Sequence, residues 1–243
     1  MLFPAPPPAD RLILHRILET ARRLGPEGVA VFDLDSTLVD NRPRQAAILR
    51  EIGERFGLPE LARSTLSHWG SSWDICGAMR AAGLADDAIE RTFADAMRFW
   101  AERFFTDESC DHDCATPGAR EFLAALRDAR AQIAYCTGRP ELMRRGTCRS
   151  FERFGFPRVG EEGVVLLMKP SARDADDDFK RDVQPRLREL GRVFAAFDNE
   201  PSHVNGYRAG FPDAHVVHLA TDHSGRDVAV APGIPAIVDF VLP

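Results

Sequence analysis

Apolar residues change their spacing several times along the chain, and each change marks a different kind of element. The run LILHRILETARRL, from Leu12 to Leu24, repeats apolar positions three and four apart behind Asp10 at the place of a cap, and Gly25-Pro26 stops it. Pro4 to Pro8 precede it as a stiff leader, so residues 1–27 read as an N-terminal helical extension packed outside the core. Val29 to Phe32 form a continuous β-branched and aromatic run that ends abruptly in Asp33, the pattern of a buried parallel strand. From Arg44 to Phe105 the spacing is helical throughout, in QAAILREIGERFG, WDICGAMRAAG and DDAIERTFADAMRFWAERFF, the first two closed by Gly. After Pro117-Gly118 helical and strand-like segments alternate: REFLAALRDA, AQIAYC, ELMRRGTCRSFERF, GVVLLM, DDFKRDVQPRLREL and RVFAAF, with HVVHLA and AIVDFVL at the end.

This rhythm predicts an α/β fold, a Rossmann-like parallel sheet core flanked by helices, with an all-α segment inserted after the first strand. The core is expected over residues 1–40 and 113–243 and the helical insertion over residues 41–112.

Composition narrows the function. The chain has 243 residues, is 44% hydrophobic and carries a net charge of -6, so its bulk field repels polyanions and no nucleic-acid partner is expected. Any phosphate must therefore be met by local positive charge. Five scattered cysteines, an odd number, suggest free thiols in a reducing compartment. The N-terminus lacks the pattern of a secretory signal, and no run approaches the roughly 18 apolar residues of a membrane helix, so a cytoplasmic protein is expected. No heptad seam assigns an oligomeric state.

Four strands of the predicted core end in polar residues: Asp33 to Thr37, Thr137-Gly138-Arg139, Lys169-Pro170 and Asp198-Asn199-Glu200. Open α/β sheets bind ligands beyond the carboxyl ends of their strands, so these endings are expected to share one crevice. Asp33, Asp35 and Asp198 would repel one another there and raise at least one carboxyl pKa. A hard divalent cation relieves the repulsion, and magnesium binds one or two carboxylates, several waters and a substrate phosphate. Thr137 offers a hydroxyl, Gly138 an open backbone N–H, and a lysine could neutralise the remaining charge. Phosphoryl transfer needs such positioning and neutralisation above all. A carboxylate held in line can act as nucleophile, while a second carboxyl two residues on protonates the leaving oxygen and later activates water.

FDLDSTLVD, YCTGR, a downstream lysine and AFDNE together resemble the haloacid dehalogenase superfamily, phosphatase type with an α-helical cap, and the resemblance spans Val29 to Glu200. It implies magnesium-dependent hydrolysis of a small-molecule phosphate ester through an aspartyl-phosphate. Asp33 would be nucleophile and metal ligand, and Asp35 the general acid and base whose backbone carbonyl also touches the metal. Thr137 would bind phosphate, with Thr37, Gly138 and Arg139 around it, and Asp198 would complete the metal site. Lys180 is preferred over Lys169 as the phosphate-site lysine because RDADDDFKRDV is similar to the lysine segment of the polynucleotide 3′-phosphatase branch.

Two positions depart from the family pattern. Asn199 stands where many relatives carry a second acid, and could ligate through its carbonyl oxygen or hold a metal-bound water. Ser36 replaces the usual Gly and gives up its freedom of φ. The insertion resembles the family's cap, and its HWGSSWD loop presents Trp69 and Ser71 as substrate-facing residues. Asp176, Asp177 and Asp178 read as helix-start acids. CDHDC, from Cys110 to Cys114, reads as a solvated hinge rather than a zinc site. His203, His215, His218 and His223 show no triad spacing, and His223-Ser224-Gly225, following a strand, is a candidate border of the crevice. A phosphomutase or phosphotransferase and a non-catalytic phospholigand-binding protein are the alternative readings, while Asp35 and Asp198 argue against a dehalogenase.

Overall fold

The computed structural model of the chain describes residues 8–242. Among the described residues eight strands run in chain order: β1 (Gly28–Phe32), β2 (Val39–Asp40), β3 (Cys114–Ala115), β4 (Gln132–Pro140), β5 (Val164–Lys169), β6 (Arg192–Asp198), β7 (His215–Leu219) and β8 (Ala236–Ile237). The helices before and within the insertion are α1 (Pro8–Leu24), α2 (Arg42–Phe56), α3 (Pro59–Ala62), α4 (Ile75–Ala81) and α5 (Asp86–Phe104). Those that follow are α6 (Ala119–Asp128), α7 (Arg144–Phe154), α8 (Asp176–Asp182), α9 (Gln184–Leu190) and α10 (Pro201–Gly210).

Six strands form one parallel sheet in the order β5-β4-β1-β6-β7-β8. β1 lies inside the sheet, and all five of its residues are buried, which is why its sequence reads as an unbroken apolar run. Alternate residues feed two cores. Ala30 and Phe32 pack on one face with Ile133, Tyr135 and Phe197, while Val29 and Val31 pack on the other with Ala134, Cys136 and Ala196. Phe32 stacks on Phe197 at 4.7 Å between ring centres, fixing the ends of β1 and β6 side by side.

Several elements differ from expectation. Helix α1 starts at Pro8, so Asp10 lies within its first turn. It is no external extension: Leu14, Ile17 and Ala21 are fully buried in the main core, and the helix contacts α6, β6 and β8. The segment expected as one helix over DDFKRDVQPRLREL divides at Val183 into α8 and α9, because Pro185 near the start of α9 cannot donate to the preceding turn. Only Ala236 and Ile237 of the last apolar run pair with the sheet. The chain leaves and re-enters the core through a two-stranded antiparallel ribbon, Val39 opposite Ala115 and Asp40 opposite Cys114. Between these crossings, α2 to α5 build a core of their own around Ile48, Ile52, Leu61, Trp69 and Met79. Among the described residues, no helix is long and apolar enough to cross a membrane.

Candidate active site

Counting only the main sheet, the strand order is 3-2-1-4-5-6, and the direction of winding reverses between β1 and β6. At such a switch point the following loops diverge and leave a crevice beyond the carboxyl ends of the two strands. Asp33 and Asp198 end these strands, and the ladder runs up to them, with the Asp33 amide donating to the Phe197 carbonyl at 2.9 Å.

Lys180, 3% exposed on α8, closes the gap between the two carboxylates. Its Nζ donates to Asp33 Oδ1 at 2.7 Å, Asp198 Oδ2 at 2.8 Å and the Cys136 carbonyl at 2.6 Å, which uses all three ammonium protons. The chain has two lysines, and the other, Lys169, pairs with Asp176 on the cavity wall. Burial, reinforced by the Asp198 charge and only partly offset by Lys180, raises the Asp33 carboxyl to about 7. Asp198 is fully buried, yet Lys180 and His203 outweigh burial and hold it well below the usual carboxylate range. His203 lies 3.2 Å through Nδ1 from Asp198 Oδ1, and its Nε2 is 3.0 Å from Asp177 Oδ1. Burial disfavours the imidazolium, but Asp198 more than compensates and the pKa moves up. No sequence motif marked this histidine. Its placement follows from α10 beginning three residues after Asp198, so that its first turn folds back over the strand end.

Asp35 belongs to a second network. Arg139 Nε donates to Asp35 Oδ2 at 2.9 Å and Nη2 donates to Oδ1 at 2.6 Å, with Nη2 also 2.8 Å from Asp113 Oδ2. Asp113 receives Arg44 as well, through Nε at 2.9 Å and through Nη2. Arg44 is fully buried and lies over the Phe104 ring, 4.8 Å from its centre. Arg139, expected at the phosphate, is thus committed to two carboxylates. Burial opposes the charge on Asp35, but Arg139 and Arg44 prevail and lower its pKa. The expected solvated hinge is therefore buried at Asp113, which joins α2 to the end of β4.

The remaining predicted residues divide between cavity and framework. Thr137 is buried on the cavity wall, its Oγ1 accepting from the Arg139 amide at 3.2 Å. Gly138 lines the cavity too, where a Cβ would come within 2.9 Å of the Asp176 carboxylate. Thr37 donates to Asn199 Oδ1 at 3.2 Å, and Asn199 Nδ2 donates to the Asp222 carbonyl at 2.6 Å, so the Asn199 amide braces loops. Ser36 adopts φ 58°, the left-handed region in which the family's glycine is unstrained. Trp69 and Ser71 do not face the cavity. The turn at Leu66–His68 sends Trp69 into the core of the helical segment, and the Ser71 hydroxyl donates to Asp222 Oδ1 at 2.7 Å. Ser72 and Trp73 take their places on the wall. His223 lies outside it, whereas Ser224 lines it. Asp176, Asp177 and Asp178 occupy the first turn of α8 as expected.

A cavity of about 500 Å³ lies between the strand ends and the helical segment. Asp222 fastens its two sides together, accepting from the Ser71 hydroxyl and from the Ser72 amide and hydroxyl.

Residues 28–204 match the family model described as haloacid dehalogenase-like hydrolase, a span that contains all four strand endings. The chain belongs to the haloacid dehalogenase-like hydrolases. Two phosphoglycolate phosphatases are similar to it. The one from Pseudomonas putida is 31% identical over 117 residues, covering 46% of this chain and 42% of that protein. The one from Agrobacterium fabrum is 26% identical over 216 residues, covering 84% of this chain and 89% of that protein. Among solved structures, protein tyrosine kinase A of Mycobacterium tuberculosis superposes with a TM-score of 0.55 at 20% identity, covering 88% of this chain and 94% of that one. CbbY of Rhodobacter sphaeroides, solved with phosphate, gives 0.51 at 18% identity over the same shares, 88% and 94%. These two likenesses concern the fold.

Members of this family generally use a divalent metal, and the donors here fit a hard one. Asp33 and Asp198 present two carboxylates at adjacent strand ends, and one of them is driven toward protonation in the absence of a cation. Among the described residues no three or more His, Cys, Asp or Glu side chains converge as a metal cage. Two carboxylates, with water and phosphate filling the other positions, is the pattern by which magnesium is held.

Proposed function

We propose that the chain is a magnesium-dependent phosphomonoesterase that acts on a small phosphorylated metabolite through an aspartyl-phosphate on Asp33. One observation carries this reading: Asp33 and Asp198 meet at the sheet's switch point and share Lys180 at 2.7 and 2.8 Å. The Asp33 and Asp198 carboxylates, with the Asp35 backbone carbonyl, would hold the magnesium ion. When bound it supplies positive charge against the transferring phosphoryl group.

The chain's own groups account for the rest. Lys180 fixes the orientation of Asp33, whose free carboxylate oxygen attacks phosphorus. The Thr137 hydroxyl and the Gly138 N–H receive the phosphate oxygens. Asp35 delivers a proton to the departing oxygen and then takes one from the water that opens the acyl phosphate. Arg139 and Arg44 favour the carboxylate of Asp35, the form that accepts a proton from water in the second step, and that proton is the one delivered to the leaving oxygen of the next substrate. His203 and Asn199 act as positioning residues through Asp198 and Thr37. Residues 41–112 serve as a cap, held over the crevice by Asp222 and excluding water from it.

Steady-state hydrolysis of p-nitrophenyl phosphate tests the reading. Turnover is expected with magnesium, none after chelation, and none in Asp33→Asn. Equal turnover in wild type and Asp33→Asn would overturn it.

A further inference from the structure

The two halves of the cavity differ in charge. The half formed by the cap consists of the rings of Trp73, Trp100, Phe104 and Phe105 with Ser72 and the amides of Asn41 and Gln45, and no charged cap side chain lines it. The rings of Trp100, Phe104 and Phe105 pack on one another. Trp100 stacks on Phe104 at 4.6 Å and donates through Nε1 to Gln45 Oε1 at 2.6 Å, while Gln45 Nε2 donates to the Ser72 carbonyl at 2.9 Å. Trp73 lines the same half and is 59% exposed, so much of its indole is free to receive a ligand.

The core half holds cations, but each is paired. Arg139 serves Asp35 and Asp113, Lys169 serves Asp176, and Arg226 serves Asp177 and Glu200. Around the cavity outside the phosphate site stand the carboxylates of Asp174, Asp176, Asp177 and Glu200, facing the cations Lys169 and Arg226 and the imidazole of His203, which Asp177 shares with Asp198. A second anion on the substrate would meet surplus negative charge and no unpaired partner, and placing an anion there without one is unfavourable. A flat ring would instead meet aromatic faces and exclude water from them.

We infer that the cavity is built for a phosphate monoester whose leaving group is an uncharged planar aromatic body, and that it discriminates against esters carrying a second anion. The inference rests on the phosphatase reading for turnover, but its recognition component stands on the cavity walls. It separates this chain from the phosphoglycolate phosphatases it is similar to, since phosphoglycolate carries a carboxylate.

The experiment has two arms on the full chain with magnesium. In the first, kcat/KM is compared for phenyl phosphate and adenosine 5′-monophosphate against 2-phosphoglycolate and fructose 1,6-bisphosphate. In the second, calorimetry compares phenylphosphonate, which cannot be hydrolysed, with 3-phosphonopropionate, an isostere of phosphoglycolate. The aromatic compounds are expected to lead by about tenfold or more in both arms, the scale of one aromatic stacking contact. Trp73→Ala, at an exposed position, is expected to weaken phenylphosphonate by about tenfold and 3-phosphonopropionate by less. Equal or better use or binding of the compounds that carry a second anionic group overturns the inference while leaving the phosphatase reading intact. Selective binding of phenylphosphonate with no turnover of any ester sinks the phosphatase reading and supports the recognition inference.

Discussion

Replacing Asp33 by Asn is expected to abolish activity and, without metal, to stabilise the protein. The carboxyl is 7% exposed, lies beside Asp198, and titrates near 7 in place of its ordinary 3.8. A carboxyl whose folded pKa lies above its unfolded one binds more protons in the native state, so stability falls as pH rises from about 4 to about 7. Above that window the whole cost is present. A gap of about three pH units, at about 1.4 kcal/mol each, amounts to about 4 kcal/mol. Asn keeps the shape, cannot ionise, and still offers Lys180 an oxygen, although the weaker bond makes about 4 kcal/mol an upper bound. Asp198 stays ionised across the window, and His203, raised above 6.5, is present in both proteins, so the difference between variant and wild type isolates Asp33. The assay is urea unfolding of chelator-treated protein at pH 5 and pH 8. The variant should be more stable by several kcal/mol at pH 8 and much closer to wild type at pH 5. Magnesium should then stabilise the wild type preferentially, because a ligand raises stability only where its site exists. A variant no more stable than wild type at pH 8 would refute the reasoning about buried charge at this site.

Ser36→Gly removes the left-handed strain at φ 58° and should stabilise by about 0.5 to 1 kcal/mol after the added backbone entropy, read from the urea midpoint. Arg44→Met leaves the buried Asp113 with Arg139 alone and should cost about 3 to 5 kcal/mol, measurable by thermal unfolding; a loss under about 1 kcal/mol would show the network to be slack. Asp222→Ala frees Ser71 and Ser72, so limited proteolysis should cut the 64–74 loop several-fold faster and KM should rise, with little change in global stability.

Much of the fold was legible because its signals are local. A buried parallel strand must be continuously apolar, which marks β1, and ligands gather at strand ends, which singles out Asp33, Thr137 and Asp198 without knowledge of strand order. The amphipathic face of α1 was visible, but not that it would meet the main sheet. Lys180 and Lys169 could be separated only once α8 was seen to stop at Asp182 and to bring Lys180 over both strand ends. The network of Asp35, Arg139, Asp113 and Arg44 was hidden, because its pairs are separated by 104, 26 and 69 residues and depend on the β2–β3 register. Trp69 and Ser71 were chosen for residue type in a loop, and a single 3-10 turn shifted the wall to Ser72 and Trp73. Composition cannot resolve an offset of one to four residues.

The most direct test of the central claim is acid quench of the enzyme during turnover of phenyl phosphate, followed by borohydride reduction and peptide mass spectrometry. The account predicts a reduced side chain at position 33, formed only with substrate and magnesium present and absent in Asp33→Asn. Sustained turnover with no modification there, or with modification at another carboxylate, would contradict it.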